Sequence, residues 1–163
     1  MSGSPTIVKC GLVCQPVTVD QDRFVIAYET PPLDDYLRLR IVAGLSARDP
    51  ASALAGLPNS CVAVTVRQQG HIVGMGRVIG DGGLVFQIVD IAVDPLVQGE
   101  GIGKAIMAAL VRQLRTIVPG RAYVSLIADG EAHRLYRQHG FEEVAPAARG
   151  MALWVDPIDQ TAL

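Results

Sequence analysis

The sequence predicts a single α/β domain with a mixed central sheet of about six or seven strands and about four helices. Its length of 163 residues suits one domain with a substantial core. Three consecutive β-rich segments, joined by short glycine-containing turns, occupy the middle of the chain. A long segment with apolar residues at helical spacing follows them, and a further strand pattern comes next. This order is typical of helices that cover a sheet.

The first elements are a short strand and two helices. Phe24–Tyr28 is β-branched and aromatic, and it ends before Pro31-Pro32, where the second proline suits the start of a helix. The apolar residues that recur at helical spacing after it are Leu33, Tyr36, Leu37, Ile41 and Leu45. A weaker helical pattern spans Ala51–Leu57. Two helices are therefore expected before the central strands.

The central strands are predicted at Cys61–Arg67, His71–Ile79 and Leu84–Val93. Gln69-Gly70 separates the first two, and Asp81-Gly82-Gly83 separates the last two. Both connections suit hairpins, so three antiparallel strands are expected.

A long helix and another strand follow. The apolar stripe of this helix is Ile102, Ala105, Ile106, Ala109, Leu110, Leu114 and Ile117. Pro119-Gly120 ends it, and Arg121–Ile127 has the pattern of a strand.

The C-terminal part is predicted to hold one helix and two closing strands. Asp129 can cap a helix that runs to His139, with Gly140 as its left-handed stop. Phe141–Ala145 and Met151–Val155 are the two strand candidates.

The N-terminal residues are less informative. Residues 1–22 are interpreted as an N-terminal extension of the single domain 1–163, and Thr6–Val19 leaves room for an extra strand. Met1–Pro5 lacks the pattern of a secretory signal, so a cytoplasmic location is expected. Cys10 and Cys14 have no second pair of Cys or His to complete a metal site, so reduced thiols and no metal are expected.

Composition argues against two classes of partner. Hydrophobic residues make up 50% of the chain, yet no apolar run approaches the roughly 18 residues of a membrane span. The net charge is −2, with no basic run of the kind that binds phosphate backbones. A soluble protein without nucleic-acid or membrane partners is therefore expected.

A glycine-rich turn lies between the last central strand and the long helix. Residues 94–104 contain three glycines within five residues, Gly99, Gly101 and Gly103. Glycine lets the backbone approach a ligand closely, and the free N–H groups of a helix's first turn favour an anion such as a pyrophosphate.

Two common nucleotide motifs do not fit this turn. A P-loop needs Gly at position 98 and Ser or Thr at 105, where Gln98 and Ala105 stand. The dinucleotide fingerprint needs Gly or Ala at 104 or 106, where Lys104 and Ile106 stand.

The remaining pattern is Gln-x-x-Gly-x-Gly, realised as Gln98, Gly101 and Gly103 directly after the strand that ends Ile91-Ala92-Val93. In this form the sequence resembles the GNAT family of acetyltransferases. The segment Ala132–Glu142, in which a helix Tyr136 precedes Gly140-Phe141, is similar to the family's second signature. The two motifs cover roughly Leu84–Glu143.

The resemblance implies acetyl-CoA as the cofactor. It implies that Gly99–Lys104 wraps the CoA pyrophosphate through main-chain N–H groups, with Gln98 at the start of the motif. It also implies that Ile91–Val93 pairs its backbone with the pantetheine arm, as an added strand would. The residues concerned are Ile91, Ala92, Val93, Gln98, Gly99, Glu100, Gly101, Ile102, Gly103 and Lys104.

Acetyl transfer to an amine poses two proton problems. A primary amine with a pKa near about 10.4 must lose a proton, and the departing thiolate benefits from receiving one. The resemblance places Tyr136 as the acid, and the alternative is that Tyr136 only packs on the buried face of its helix. Asp90 is a candidate base, with a structural or substrate-anchoring role as the alternative.

The sequence departs from the family pattern at several positions. Gln87 and Val89 stand where Glu is common in the family, and Asp129 stands seven residues before Tyr136, where Asn is common. Asp129 is therefore interpreted as a helix cap. Arg38, Arg40 and Arg77 could contact an anionic acceptor, although a solvated face is the ordinary expectation.

The acceptor is predicted to be the primary amine of a small molecule, either an amine or an amino sugar. A protein or peptide N-acetyltransferase is one alternative, and a non-catalytic acyl-CoA-binding sensor is another. The apolar composition and the resemblance are compatible with a homodimer.

Overall fold

A computed structural model describes residues 17–19 and 23–156. The extension 1–22, with Cys10 and Cys14, lies outside the described residues except for Val17–Val19. Within the described part there are six strands and four α-helices, which agrees with the predicted fold class. The strands are β1 (Val17–Val19), β2 (Phe24–Ala27), β3 (Val62–Gln68), β4 (His71–Gly80), β5 (Val85–Val93) and β6 (Tyr123–Leu126). The helices are α1 (Leu33–Val42), α2 (Pro50–Gly56), α3 (Ile102–Ile117) and α4 (His133–Arg137).

The strands form one mixed sheet in the order β1-β2-β3-β4-β5-β6. Neighbours from β1 to β5 are antiparallel, as the short turns between the central strands predict. β5 and β6 are parallel, with Phe86 opposite Val124. A parallel pair needs a crossover, and α3 supplies it.

The main core lies between the sheet and α3. The predicted apolar stripe of α3 is buried at Ile102, Ile106, Ala109, Leu110 and Leu114. These residues pack against Val64 and Val66 of β3 and Val78 of β4 in one cluster. The long helix is thus held rigidly against the strands that precede the glycine-rich turn.

Helix α1 differs from its predicted face. Its buried residues are Tyr36, Leu39 and Arg40, whereas Ile41 is 58% exposed. The helix ends at Val42 because Gly44 follows with a φ of 79°, so Leu45 lies beyond it. The prediction that Ile41 faces the core was wrong, and a buried arginine takes part in that face instead.

The C-terminal predictions need two corrections. Neither Phe141–Ala145 nor Met151–Val155 forms a strand, because neither segment pairs with a described strand. The Asp129 side chain does not cap the following helix, which begins with a 3-10 turn at Gly130–Ala132 and ends at Arg137. Gly140 does adopt the left-handed conformation, with a φ of 85°.

Candidate active site

The pairing of β5 with both neighbouring strands is interrupted near Asp90, by a bulge toward β4 and by the end of pairing toward β6. Arg77 lies opposite Val89 and Met75 opposite Ala92, so two residues of β5 face Gly76 alone. Asp90 has a φ of 58° in this bulge. On the other side, pairing with β6 ends at Ile88, although β5 continues to Val93. The last residues of β5 therefore present backbone groups that β6 does not cover.

A cavity of about 510 Å³ lies beside this uncovered part of β5. It is bounded by the end of β5, the glycine-rich turn, the start of α3 and one side of α4. Its lining residues are Ala43, Ile91, Ala92, Val93, Val97, Gln98, Gly99, Gly101, Ile102, Gly103, Lys104, Ala132, Leu135 and Tyr136. Glu100 is the one predicted cofactor residue outside this set, and it forms an ion pair with Arg23 at 2.6 Å.

The turn that leads into α3 is braced by its own side chains. Asp94 accepts a hydrogen bond from the Leu96 N–H at 3.1 Å, and Pro95–Val97 forms a 3-10 turn. Gln98 donates from Nε2 to the carbonyl of Val93 at 3.0 Å. This bond ties the glutamine to the end of β5, so Gln98 shapes the turn as well as lining the cavity.

The start of α3 is built to expose backbone donors. Gly99 and Gly101 have φ values of 84° and 83°, which only glycine adopts without strain. Gly101 is the N-cap and offers no side-chain cap, and the first helical bond runs from Ala105 to the Gly101 carbonyl. The N–H groups of Ile102, Gly103 and Lys104 therefore have no partner within the helix. They suit the negative charge of a pyrophosphate, while the uncovered edge of β5 suits an extended amide chain.

Tyr136 lies where this cavity meets a second one. It is 8% exposed and lines both the cavity beside α3 and a cavity of about 390 Å³ that includes Leu126 and Phe141. Burial raises the pKa of its hydroxyl, and the nearby charge of Asp129 raises it further. The hydroxyl is therefore protonated at neutral pH and available as a donor.

Asp90 lies at the centre of a buried charge cluster. Its Oδ1 accepts from Arg40, and its Oδ2 accepts from Arg77 at 2.6–2.8 Å. The side chains of Asp90 and Arg40 are only 6% and 4% exposed. The Tyr36 hydroxyl lies 3.3 Å from Oδ2, and both guanidinium groups stack on the Tyr36 ring. Two cations and a hydroxyl thus hold one carboxylate at the bulge.

Sequence reasoning missed this cluster. The sequence predicts Arg40 and Arg77 on a solvated face, or in contact with an anionic acceptor, and it places Tyr36 only in the apolar stripe of a helix. One signal was available: Arg40 falls on the same face of α1 as Tyr36, four residues apart. The link from α1 to β4 and β5 becomes visible only in three dimensions.

A small pocket adjoins the cluster on its α2 side. Its volume is about 170 Å³, and its lining residues are Tyr36, Arg48, Ser52, Ala53, Gly56, Leu57 and Arg77. Tyr36 and Arg77 each contact Asp90, and Asp90 directly precedes Ile91 of the larger cavity. The bulge therefore borders both spaces.

This geometry agrees with a family match. The family profile described as "Acetyltransferase (GNAT) domain" matches residues 58–143, which is more than half of the chain. The chain belongs to the GNAT acetyltransferase family. The resemblance drawn from the two sequence motifs is thereby confirmed.

Curated GNAT relatives carry different substrate names. A Glycine max protein named histone acetyltransferase TAP1 is 33% identical over 64% of this chain and 49% of its own length. A protein of Oryza sativa subsp. japonica, named serotonin N-acetyltransferase 2, chloroplastic, is 36% identical over 52% of this chain and 42% of its own length. This GNAT chain thus spans about half the length, or less, of these relatives.

Solved structures share the GNAT fold. A Staphylococcus aureus protein named as a probable acetyltransferase superposes with a TM-score of 0.77 at 42% identity, covering 81% of this chain and 99% of the other. Glucosamine-6-phosphate N-acetyltransferase of Arabidopsis thaliana gives a TM-score of 0.61 at 17% identity, covering 83% and 100% of the two chains, and shows a common fold only. Within residues 17–19 and 23–156, none of the helices has the length and hydropathy that a membrane crossing requires.

Proposed function

We propose that this chain is an acetyl-CoA-dependent N-acetyltransferase that transfers the acetyl group directly to the primary amine of a small molecule, an amine or an amino sugar. The observation that carries the proposal is the cavity of about 510 Å³, which joins the uncapped start of α3, the uncovered edge of β5 and the Tyr136 side chain. Bound acetyl-CoA supplies an activated acetyl thioester. The remaining steps fall to the protein's own residues.

Binding uses backbone groups at both ends of the cavity. The N–H groups of Ile102, Gly103 and Lys104 face the pyrophosphate, and the Lys104 side chain adds a positive charge. Ile91–Val93 pairs with the amide-bearing arm in the way that one strand pairs with another. These backbone contacts fix the position of the thioester. A fixed position lowers the activation barrier of acetyl transfer, because fewer degrees of freedom must be lost during the reaction.

Tyr136 serves as the general acid. The amine nitrogen forms a bond to the acetyl carbon, the carbon–sulfur bond breaks, and Tyr136 donates its hydroxyl proton to the departing sulfur. Burial keeps the hydroxyl protonated at neutral pH, because it raises the pKa of Tyr136.

Asp90 receives the amine proton through Tyr36. Both Asp90 oxygens already accept from arginine, so a direct approach by an amine would have to displace one of these bonds. Tyr36 lines the small pocket and points its hydroxyl at Asp90 over 3.3 Å. Its hydroxyl can accept a proton from an amine in the pocket while it passes its own proton to Asp90.

The acceptor occupies the small pocket beside α2. A space of about 170 Å³ suits a compact amine rather than a folded protein surface. The names of the rice and soybean relatives, a serotonin and a histone acetyltransferase, span both acceptor classes. Pocket size therefore supports a compact acceptor group, and the acceptor screen decides between a free small amine and the amine of a peptide.

A thioester-consumption screen tests this function. The purified full chain is incubated with acetyl-CoA and, in separate wells, small amines, polyamines, amino sugars and N-terminal peptides, and release of free thiol is followed. Turnover with a small amine supports the proposal, and turnover with peptides alone overturns the acceptor assignment. Stabilisation by acetyl-CoA without turnover on any acceptor would favour the sensor alternative, since ligand binding raises stability by RT ln(1 + [L]/Kd).

A further inference from the structure

The small pocket beside α2 carries an excess of positive charge. Arg48 and Arg77 both line it, and none of the described lining residues is acidic. Asp90 contacts Arg77 from outside the lining, but the same carboxylate also pairs with the buried Arg40. One negative charge therefore balances two buried arginines, and the charge of Arg48 is additional.

The two buried arginines are already engaged. Nε and Nη2 of Arg77 reach Oδ2 of Asp90 at 2.8 and 2.6 Å, and Nη1 donates to the Ser60 hydroxyl at 2.9 Å. Arg40 is bonded to the other oxygen of Asp90. These guanidinium groups hold the bulge together, so a negative charge on a ligand would need a different partner.

Arg48 is available as that partner. Within the described part of the chain its guanidinium forms no ion pair and no hydrogen bond, and it lies 5.1 Å from the centre of the Trp154 ring. The neighbouring carboxylate of Asp49 accepts instead from the Ser52 N–H at 2.8 Å. Stacking on a ring positions a guanidinium but leaves its charge and its N–H groups free, and these groups match the oxygens of a carboxylate or a phosphate.

We propose that the acceptor is a small amine that also carries a carboxylate or a phosphate, and that Arg48 binds this anionic group. The inference rests on the proposed function, in which the amine lies beside the Tyr36 hydroxyl. Tyr36 is 3% exposed and Arg48 is exposed, yet both line the same space of about 170 Å³. The amine end therefore enters first, and the anionic group stays at the mouth of the pocket.

The same charges disfavour two other kinds of amine. A polyamine would bring a second cation to a pocket that already has an excess of positive charge, and like charges repel. A neutral amine would leave the Arg48 guanidinium without a ligand contact. Amines with an anionic group should therefore be the preferred acceptors.

Kinetics on matched acceptors tests the role of Arg48. The pairs are β-alanine with β-alaninamide, and O-phosphoethanolamine with ethanolamine. Arg48→Gln should lower the ratio of kcat/KM for the anionic over the neutral member by about tenfold, through KM for the anionic member, because charge-assisted hydrogen bonds are lost. Both proteins are compared on the same pair at the same pH, so differences in amine pKa cancel. The pair whose ratio falls identifies the carboxylate or the phosphate.

Arg121→Gln is the matched control, because Arg121 is also exposed but does not line the pocket. Its ratios should equal those of the parent, and Arg48→Lys should restore part of the preference because it restores the charge. Circular dichroism checks that each variant is folded. Equal ratios in the parent and in Arg48→Gln for both pairs would overturn the inference while leaving the acetyltransferase function intact, and so would a preference of the parent for polyamines.

Binding of the acetylated products requires no turnover. Calorimetry with the full chain and CoA measures the affinity for N-acetyl-β-alanine and for N-acetyl-O-phosphoethanolamine, and Arg48→Gln should weaken one or both by about tenfold. If the parent acetylates no amine but shows this Arg48-dependent binding, the anion site stands and the proposed function falls. If neither product binds to the parent and no anionic amine is acetylated, the anion site is overturned.

Discussion

Arg77 and Asp90 meet across the bulge of the sheet, with Nη2 of the arginine 2.6 Å from Oδ2 of the aspartate. Asp90 adopts a left-handed φ of 58° there, and Arg40 reaches its other oxygen from α1. The cluster joins β4, β5 and α1 beside both the cavity of about 510 Å³ and the small pocket lined by Tyr36 and Arg77. Loss of the Asp90 charge would leave the charges of Arg40 and Arg77 buried without a counter-charge.

Replacing Asp90 by asparagine should destabilise the fold by about 3–5 kcal/mol, because it leaves two buried guanidinium groups without their counter-charge. Urea denaturation measures the change. Glu131→Gln, which breaks a pair with Arg134 whose side chains are 73–74% exposed, should change stability by less than about 1 kcal/mol. Equal changes in the free energy of unfolding would show that the buried cluster contributes no more to stability than an exposed ion pair.

Tyr36→Phe separates the proton path from the stability of the cluster. The ring that stacks on Arg40 and Arg77 remains, and both arginine bonds to Asp90 remain. If Tyr36 relays the proton, kcat should fall by about 10²-fold while the acetyl-CoA affinity is unchanged. Tyr28→Phe, which loses a hydroxyl bonded to the Ala109 carbonyl, should leave kcat near that of the parent.

Gly101→Ala should weaken acetyl-CoA binding by about tenfold or more, which corresponds to roughly 1.4 kcal/mol. The added methyl group enters the cavity next to the exposed N–H groups and also strains a φ of 83°. Gly82→Ala is a close control, because Gly82 also has a φ of 83° and open space but lies in the β4–β5 turn. Titration calorimetry should show weaker binding for Gly101→Ala only, and equal binding by both variants would argue against this turn as the phosphate site.

Tyr136→Phe should lower kcat by about 10²-fold and leave the KM for acetyl-CoA little changed, since the hydroxyl acts on the departing sulfur and not on binding. Steady-state kinetics with an accepted amine measures both. Unchanged turnover would assign Tyr136 to packing alone.

The pH dependence of kcat should show no alkaline loss from Tyr136 below the ordinary tyrosine pKa of about 10. Burial and the charge of Asp129 raise the Tyr136 pKa, so the protonated acid persists to higher pH and activity falls only above that range. Because the Tyr136 pKa is higher in the folded than in the unfolded protein, the protonated hydroxyl contributes to the free energy of unfolding below about pH 10. This contribution is lost as the pH rises above that value through the pKa of the folded state. Asp129→Asn removes the negative charge that helps to raise the Tyr136 pKa, so the fall of kcat at high pH should begin at a lower pH. A fall that begins at the same pH as in the parent would contradict this role of Asp129.

Local patterns determined much of this protein. Short glycine turns between β-rich runs were enough to predict β3, β4 and β5, because hairpin pairing depends on residues close in sequence. The stripe from Ile102 to Ile117 predicted α3 to the residue, and the glycine spacing pointed to its uncapped start. Each of these features depends on neighbouring residues alone.

Tertiary structure decided the rest. Asp90 acquired Arg40 and Tyr36 as partners from a helix about 50 residues away, and no periodicity links the two segments. Met151–Val155 has the pattern of a strand, but a strand also needs an adjacent edge to pair with, and among residues 17–19 and 23–156 it pairs with none. The sequence by itself therefore determined the three central strands, α3 and the glycine-rich turn before it. Only the fold decided which charges meet and which strands pair, because those contacts join distant residues.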